Sequence, residues 1–262
     1  MRDWERKPGF DLHGKQAIVV GFGNPGGRAI ALALAEAGAD VAVASATLDG
    51  DEVMAAKRAA GEIAKLGRKS YSQGWDVTLP TNVQVSFKQA VKEFGHPSIL
   101  VFNADLPFAR AIEKTSDSEF GRVINVNLAG AFYAARSFIR ELPDGMTGRL
   151  IFVSSVFGER GADHLAAYGA AKAGVIGLVR MLSQEMGARN TTVNCIATGW
   201  MDWTPGRGPD EMNENLLMRF IPMRRFGRAD ELGALAVLLA SDAAGYINGQ
   251  VIIVDGGVMT HL

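Results

Sequence analysis

The chain has 262 residues, of which 48% are hydrophobic and 31 are glycine, so it is long enough for one large α/β domain with a sizeable core. Its 27 basic and 28 acidic residues nearly cancel and form no long run of one sign, which argues against nucleic acid or an anionic membrane as a partner. No stretch reaches the about 18 uninterrupted apolar residues of a membrane span, and the N-terminus lacks a signal-peptide pattern, so we expect a cytoplasmic protein.

Short β-branched segments alternate with longer segments of helical periodicity, which is typical of βαβ units and a mostly parallel sheet. Seven strands are predicted, at residues 16–21, 40–45, 69–75, 98–102, 149–154, 192–196 and 250–254. Helices are predicted at residues 26–37, 51–66, 81–94, 117–142 with a possible break, 166–187 and 229–240. No linker or repeat divides the chain. The prediction is one α/β domain over residues 1–262, a doubly wound Rossmann fold with a single seven-stranded parallel sheet and helices on both faces.

The sequence GFGNPGG, residues 21–27, joins the first strand to the first helix. Glycines let the backbone approach a ligand, and a helix N-terminus offers free N–H groups and a partial positive charge to a pyrophosphate. Pro25 suits the first helical position but removes one donor, so the phosphates would be held by fewer or differently placed N–H groups. A tight turn without a ligand is the alternative. The predicted phosphate-binding residues are Gly21, Gly23, Asn24, Gly26 and Gly27.

The end of the second strand is where doubly wound folds select the cofactor. Here Ser45, Ala46 and Thr47 follow the strand, without the acidic residue that binds the ribose hydroxyls in NAD enzymes. The missing charge removes the usual repulsion of the 2′-phosphate of NADP, while no arginine stands beside it. These three residues are therefore predicted to contact the cofactor and to permit NADP without requiring it.

Three side chains form a candidate catalytic set. Tyr168 and Lys172 are four residues apart on one face of a predicted helix, and a neighbouring cation lowers the pKa of a tyrosine toward the range of an acid–base catalyst. Ser155 follows the fifth strand and offers a hydroxyl to the oxygen at which charge develops. The four histidines and the single Cys195 have no metal-binding spacing, so no metal is expected, and a buried thiol is the favoured interpretation of Cys195.

From about Asp11 to Val258 the chain resembles the short-chain dehydrogenase/reductase family. Beyond Ser155, Tyr168 and Lys172, the resemblance rests on the segments WDVT at 75–78, VFNAD at 101–105 and VNLAG at 126–130, and on a C-terminal region ending VDGG at 254–257. The family's glycine-rich consensus is altered at Val20 and Pro25, and Asp105 and Thr198 replace a family glycine and proline. These departures concern loop geometry and cofactor affinity more than the class of reaction.

The resemblance implies an NAD(P)-dependent oxidoreductase that interconverts a ketone and a secondary alcohol. Tyr168 would be the general acid or base, Lys172 would hold the nicotinamide ribose, Ser155 would bind the substrate oxygen, and Asn127 would anchor a water of the proton relay. The cofactor residues implied are Asp76, Val77, Asn103, Ala104, Tyr168, Lys172, Thr198 and Gly199. The ending at Ser45 to Thr47 resembles that of NADP-dependent 3-oxoacyl-carrier-protein reductases, which favours NADP over NAD, and relatives of this kind are commonly tetramers. A homotetramer or homodimer is therefore expected, with the helices at 117–142 and 166–187 in the interface.

Residues 200–220 mix tryptophan, methionine, proline and glycine after the sixth strand and are predicted to form a substrate loop or lid, with a surface excursion as the alternative. Trp200 and Trp203, with Ser155 and Tyr168, are the candidate substrate contacts. The substrate would be a small-molecule ketone or alcohol, either a 3-oxoacyl thioester or a small cyclic or apolar compound. Arg160, Arg207, Arg219, Arg224 and Arg225 would attract an acidic carrier or are ordinary surface charges.

Two other classes of function remain as alternatives. A nucleotide-binding redox sensor would use the same fold to control a partner with little turnover, and the altered glycine-rich loop and Asp105 favour it. A structural subunit would neither bind the cofactor nor turn over a substrate. The set of Asn127, Ser155, Tyr168 and Lys172 favours the enzyme.

Overall fold

The computed structural model describes residues 9–204 and 217–260. Its centre is one parallel sheet of seven strands in the order β3-β2-β1-β4-β5-β6-β7. The strands are β1 Gln16–Val20, β2 Asp40–Ala44, β3 Ser70–Gln73, β4 Ile99–Phe102, β5 Arg149–Ser155, β6 Thr192–Thr198 and β7 Val251–Val254. All seven predicted strands are present and the Rossmann fold is confirmed, with β3 shorter and β6 longer than predicted because pairing partners decide where a strand ends.

Helices cover both faces of the sheet. They are α1 Pro25–Glu36, α2 Gly50–Lys65, α3 Pro80–Phe94, α4 Asp117–Ile124, α5 Gly130–Glu141, α6 Ala166–Gly187 and α7 Asp230–Ala240. Side chains of α1, α2 and α7 form one apolar core with the sheet, and those of α3, α5 and α6 form the other. Burial raises the pKa of the Cys195 thiol in β6 to about 12, which fits a structural role in the core.

The strand order fixes the position of a ligand crevice. The chain moves outward from β1 through β2 to β3, and then returns to place β4 on the other side of β1. Loops leave the carboxyl ends of β1 and β4 in opposite directions at this point, and doubly wound folds bind ligands in the gap between them. The β5–β6 register pairs Ser155 with Thr198, so both residues lie at this same edge of the sheet.

The long helix predicted at residues 117–142 is interrupted, as the sequence had indicated. A π-helical turn, Asn125–Ala129, joins α4 directly to α5, with no loop between them. Such turns accommodate one residue more than an α-helix does and are frequent at functional sites. This turn contains Asn127. Within the two described ranges, no helix combines the length and apolar character needed to cross a membrane.

Candidate active site at the carboxyl edge of the sheet

The glycine-rich loop forms a cradle that only glycine fits. Gly21 has a φ of 102°, and a Cβ atom on Gly27 would lie 2.1 Å from the carbonyl oxygen of Gly21. Asn24 caps α1 by accepting a hydrogen bond from the Gly26 N–H at 2.9 Å, and the Asn103 amide donates to the Gly21 carbonyl at 3.0 Å. Pro25 is the first residue of α1, as predicted. The exposed backbone at Gly23 and the helix N-terminus suit a dinucleotide pyrophosphate.

We expect Gly27→Ala to deform this cradle. The added methyl meets backbone rather than a flexible side chain, so α1 and the Gly21 turn must separate, at a cost of about 1 to 3 kcal/mol in the free energy of unfolding. The affinity for the cofactor should fall together with this stability. Gly61→Ala is the control, because Gly61 lies inside α2 with open space around it and alanine favours a helix. Thermal unfolding and a cofactor fluorescence titration of both variants test this, and an unchanged melting temperature for Gly27→Ala would contradict it.

The residues after β2 do not present their polar groups as predicted. Ser45 is fully buried, and its hydroxyl donates to the Thr47 carbonyl at 2.6 Å. The N–H groups of Ala46 and Thr47 donate to the carboxylate of Glu52, a residue of α2. An acidic group is therefore present at this edge of the sheet, although β2 itself does not end in one. The expectation of an edge without negative charge is corrected.

The next loops line the crevice on either side. Asp76, after β3, accepts hydrogen bonds from the N–H and the hydroxyl of Thr78, at 3.0 and 2.6 Å. Val77 is buried and donates its N–H to the Ala46 carbonyl at 2.9 Å. Ala104 contacts the glycine cradle, because a Cβ atom on Gly21 would lie 2.4 Å from the Ala104 nitrogen. The segments that the family resemblance assigns to the cofactor thus lie close to the glycine cradle and to the end of β2.

Three of the four predicted catalytic residues lie in neighbouring elements at the carboxyl edge of the sheet. Ser155 ends β5, where its hydroxyl donates to the Thr198 carbonyl at 3.2 Å and accepts from the Phe157 N–H at 3.3 Å. Tyr168 and Lys172 project from one face of α6, with the Lys172 ammonium 5.4 Å from the centre of the Tyr168 ring. The structure therefore places these three residues together.

Asn127 has a bridging role in the π turn. Its side-chain oxygen accepts from the Leu106 N–H at 3.1 Å, and its amide nitrogen donates to the carbonyls of Leu106 and Val123, at 3.1 and 3.0 Å. These bonds tie α4 to the loop that follows β4. In this structure the side chain of Asn127 holds the backbone around Asp105 in place. Its part in a proton relay stays a prediction.

Asp105 lies between the tyrosine and the lysine. The Tyr168 hydroxyl donates to Asp105 Oδ1 at 3.0 Å, and Lys172 Nζ lies 2.9 Å from the same oxygen. Burial raises the pKa of Tyr168 well above its usual value, and the charge of Asp105 and its hydrogen bond raise it further, while the Ser155 hydroxyl opposes them. The expectation that Lys172 lowers this pKa is wrong here, because the ammonium is paired with a carboxylate.

A cavity of about 420 Å³ opens beside Tyr168 and Ser155. Its walls include Trp200 and Trp203, as predicted, and also Thr198, Gly199, Phe108 and Phe157. The ring of Phe157 meets that of Trp200 edge to face, with 5.0 Å between centroids. Of the predicted lid at 200–220, residues 205–216 lie outside the described part of the chain. A smaller cavity, about 20 Å³, lies between Asn24 of the glycine-rich loop, Lys172 and Trp203.

Two residues of the site were not predicted. Asp105 was noted only as a replacement for a family glycine, and its contacts with Tyr168 and Lys172 depend on the packing of α6 against the loop after β4. Glu52 gave no signal, because an acidic residue in the first turn of a helix is ordinary. The contact of the Glu52 side chain with the glycine-rich loop is visible only in the folded structure.

The comparisons with known proteins show the family of this chain. The sequence model of a family described as enoyl-(acyl carrier protein) reductase matches residues 26–259. The 3-oxoacyl-[acyl-carrier-protein] reductase FabG of Chlamydia trachomatis is 33% identical over 247 residues, which cover 94% of this chain and 98% of that protein. The chain belongs to the short-chain dehydrogenase/reductase family. It is an NAD(P)-dependent oxidoreductase by this membership.

Solved structures of the family superpose closely. A short-chain type dehydrogenase/reductase from Mycobacterium marinum gives a TM-score of 0.87 at 33% identity, covering 95% of this chain and 97% of that one. A blue fluorescent protein from a metagenomic library, in complex with NADPH, also gives 0.87, at 28% identity and with 95% and 99% coverage. The short-chain dehydrogenase/reductase architecture therefore extends over nearly the whole chain, including the departures at Pro25 and Asp105.

Proposed function

We propose that this enzyme reversibly interconverts a small ketone and a secondary alcohol, with Tyr168 as the general acid or base. The observation that carries the proposal is that Ser155 and Tyr168 line the 420 Å³ cavity, while Tyr168 and Lys172 border the smaller cavity beside Asn24 of the glycine-rich loop. When bound, the nicotinamide supplies or accepts the hydride. The protein then has to orient the substrate and move one proton.

Each side chain has a distinct task in this reaction. The Tyr168 hydroxyl gives its proton to the carbonyl oxygen during reduction, and its deprotonated form takes the alcohol proton during oxidation. The Ser155 hydroxyl, held at the end of β5, donates a hydrogen bond to the same substrate oxygen. Lys172, whose ammonium lies 5.4 Å from the centre of the Tyr168 ring and is paired with Asp105, would hold the ribose of the cofactor. Phe157, Trp200 and Trp203 exclude water from the reacting atoms.

The cofactor is a nicotinamide dinucleotide, and the relative with NADPH favours NADP, whereas the buried carboxylate of Glu52 acts in the other direction, toward NAD. The glycine cradle fits either cofactor, because both carry the same pyrophosphate. The two differ only in the 2′-phosphate, which would lie near Ala46 and Thr47 at the end of β2. Glu52 bears directly on this difference.

The described walls of the 420 Å³ cavity favour a compact, apolar substrate. They carry aromatic side chains and the carboxylates of Asp105 and Asp163, and none of these described wall residues is lysine or arginine. Two of the arginines considered for an acidic carrier are already engaged, since Arg225 pairs with Glu231 and Arg160 donates to the Val258 carbonyl at 2.7 Å. We therefore favour a small cyclic or aromatic ketone or alcohol over a 3-oxoacyl thioester.

A turnover assay tests the function. Purified enzyme is mixed with NADPH or NADH and with cyclic ketones, aryl ketones, 3-oxoacyl thioesters and sugars, and the loss of nicotinamide absorbance is followed. We expect turnover with compact apolar ketones. Cofactor binding without consumption across the panel would favour the redox sensor, and neither binding nor consumption would favour the structural subunit.

Self-association is part of the proposal. Large apolar side chains are exposed on α4, α5 and α6, with Phe120, Phe132 and Met181 exposed by 47, 43 and 61%. A second copy of the chain would cover them in a homodimer or homotetramer. Light scattering should give two or four times the 27.9 kDa of the chain, and Phe132→Glu should lower that mass. A 27.9 kDa particle at micromolar concentration would contradict the prediction. Two further points stay predictions: that the protein is cytoplasmic, and that the chain forms a single domain.

A further inference from the structure

We propose that Glu52 is the residue with which this chain distinguishes NAD from NADP, by fixing a negative charge where the 2′-phosphate of NADP must lie. The inference rests on the proposed binding of a nicotinamide dinucleotide. Glu52 stands in the first turn of α2 and is only 8% exposed. Its side chain points away from the helix surface and toward the loops at the carboxyl edge of the sheet.

The carboxylate of Glu52 is held by four hydrogen bonds. Oε1 accepts from the N–H groups of Phe22 and Ala46, at 2.9 and 2.8 Å. Oε2 accepts from the N–H and the hydroxyl of Thr47, at 3.1 and 2.6 Å. A carboxylate has about four acceptor positions, so all are filled. Moving the group away would leave three backbone N–H groups without their partner, which is costly in a buried setting.

These partners locate the charge relative to the cofactor. Phe22 belongs to the glycine-rich loop, whereas Ala46 and Thr47 follow β2. The adenosine ribose of a dinucleotide lies between these two segments in doubly wound folds. A Cβ atom on Gly23 would lie 3.8 Å from the carboxyl carbon of Glu52, and Gly23 is exposed. The negative charge is therefore beside the surface that the ribose would cover.

A 2′-phosphate meets two obstacles at this position. Its negative charges are repelled by the Glu52 carboxylate, and the donors of Ala46 and Thr47 that it would use are already engaged. Arg28 of α1, a possible phosphate partner, is paired with Glu62 of α2. The uncharged ribose hydroxyl of NAD meets neither obstacle. Glu52 thus supplies, from the next helix, the repulsion of a 2′-phosphate that NAD enzymes obtain from an acidic residue at the end of β2.

Binding measurements test the proposal without turnover. The dissociation constants of NADH and NADPH are measured by nicotinamide fluorescence for the wild-type enzyme and for Glu52→Gln, in one buffer at one ionic strength. Glutamine keeps an acceptor oxygen for Phe22 and Ala46 but removes the charge. We expect the ratio of the NADPH to the NADH dissociation constant to fall about tenfold or more. Asp51→Asn, an exposed change of the same charge one residue earlier, should leave the ratio as it is.

Other results would overturn the proposal. If Glu52→Gln weakens both cofactors equally, the residue only supports the loop, and if the ratio stays constant or rises, the charge does not oppose the phosphate. Should Glu52→Gln fail to fold, Glu52→Asp and Glu52→Asn form a second pair that differs only in charge, and the asparagine variant should have the lower ratio. A wild-type enzyme that binds neither cofactor would overturn the proposed function itself, which is a distinguishable outcome.

Discussion

Tyr168→Phe should lower kcat/KM for ketone reduction by about 10² to 10⁴, while the dissociation constant of the cofactor changes little. The phenolic hydroxyl is the proton donor in the proposed reaction, and phenylalanine removes it alone while keeping the ring. That ring lies against the Lys172 ammonium, so packing is retained. The reacting oxygen then lacks a positioned acid and has to take its proton from water.

Steady-state kinetics with a substrate found in the panel, together with cofactor titration, measure this effect. Tyr133→Phe is the matched control, because Tyr133 lies on α5 and packs against the core on the α5 face of the sheet. Full turnover by Tyr168→Phe would remove Tyr168 from the mechanism. A loss of cofactor binding in step with the loss of rate would instead show that the hydroxyl has a structural part.

Asp105→Asn should shift the pH dependence of alcohol oxidation toward lower pH by about 1 to 3 units. Oxidation needs Tyr168 without its proton, so the rate rises as the pH approaches the pKa of that hydroxyl. In the wild-type enzyme the Asp105 charge opposes the tyrosinate and raises this pKa. Removing the charge lowers it, and the rate at neutral pH increases. Reduction needs Tyr168 with its proton. The rate of reduction should therefore begin to fall at a lower pH in Asp105→Asn than in the wild-type enzyme.

The pH profiles of both directions, recorded over the stable range of each variant, measure the shift. Asp163→Asn is the control, since Asp163 also borders the cavity but its side chain is 92% exposed. A slower Asp105→Asn enzyme with an unchanged profile would contradict the prediction. That result would make the carboxylate an acceptor of the Tyr168 proton rather than an obstacle to its release.

The sequence was sufficient for those parts of the molecule that depend on local patterns. Alternation of strands and helices predicted the seven-stranded sheet, and the spacing of Tyr168 and Lys172 placed both on one helical face. Pro25 was correctly placed at the start of α1, because its φ restricts it to few positions. Ser155 follows from the rule that parallel strands bring their carboxyl ends to one edge.

Contacts between distant segments could not be obtained in this way. Asp105 reaches Tyr168 across 63 positions of the chain, and Glu52 reaches Phe22 across 30. In both cases a carboxylate far away in sequence contacts a segment that the sequence had singled out. The direction of the pKa shift of Tyr168 was predicted wrongly for this reason, since local spacing revealed the lysine but not the carboxylate paired with it.

The π turn at Asn125–Ala129 has a consequence for the evolution of this segment. One residue corresponds to about 100° of rotation around a helix axis. The π turn absorbs one extra residue without passing this rotation on, so deleting that residue would give a continuous α-helix in which α4 and α5 still face the same neighbours. A single deletion at this point should therefore leave the packing of α4 and α5 intact. It would instead move the amide of Asn127, which anchors the loop after β4 from within the π turn.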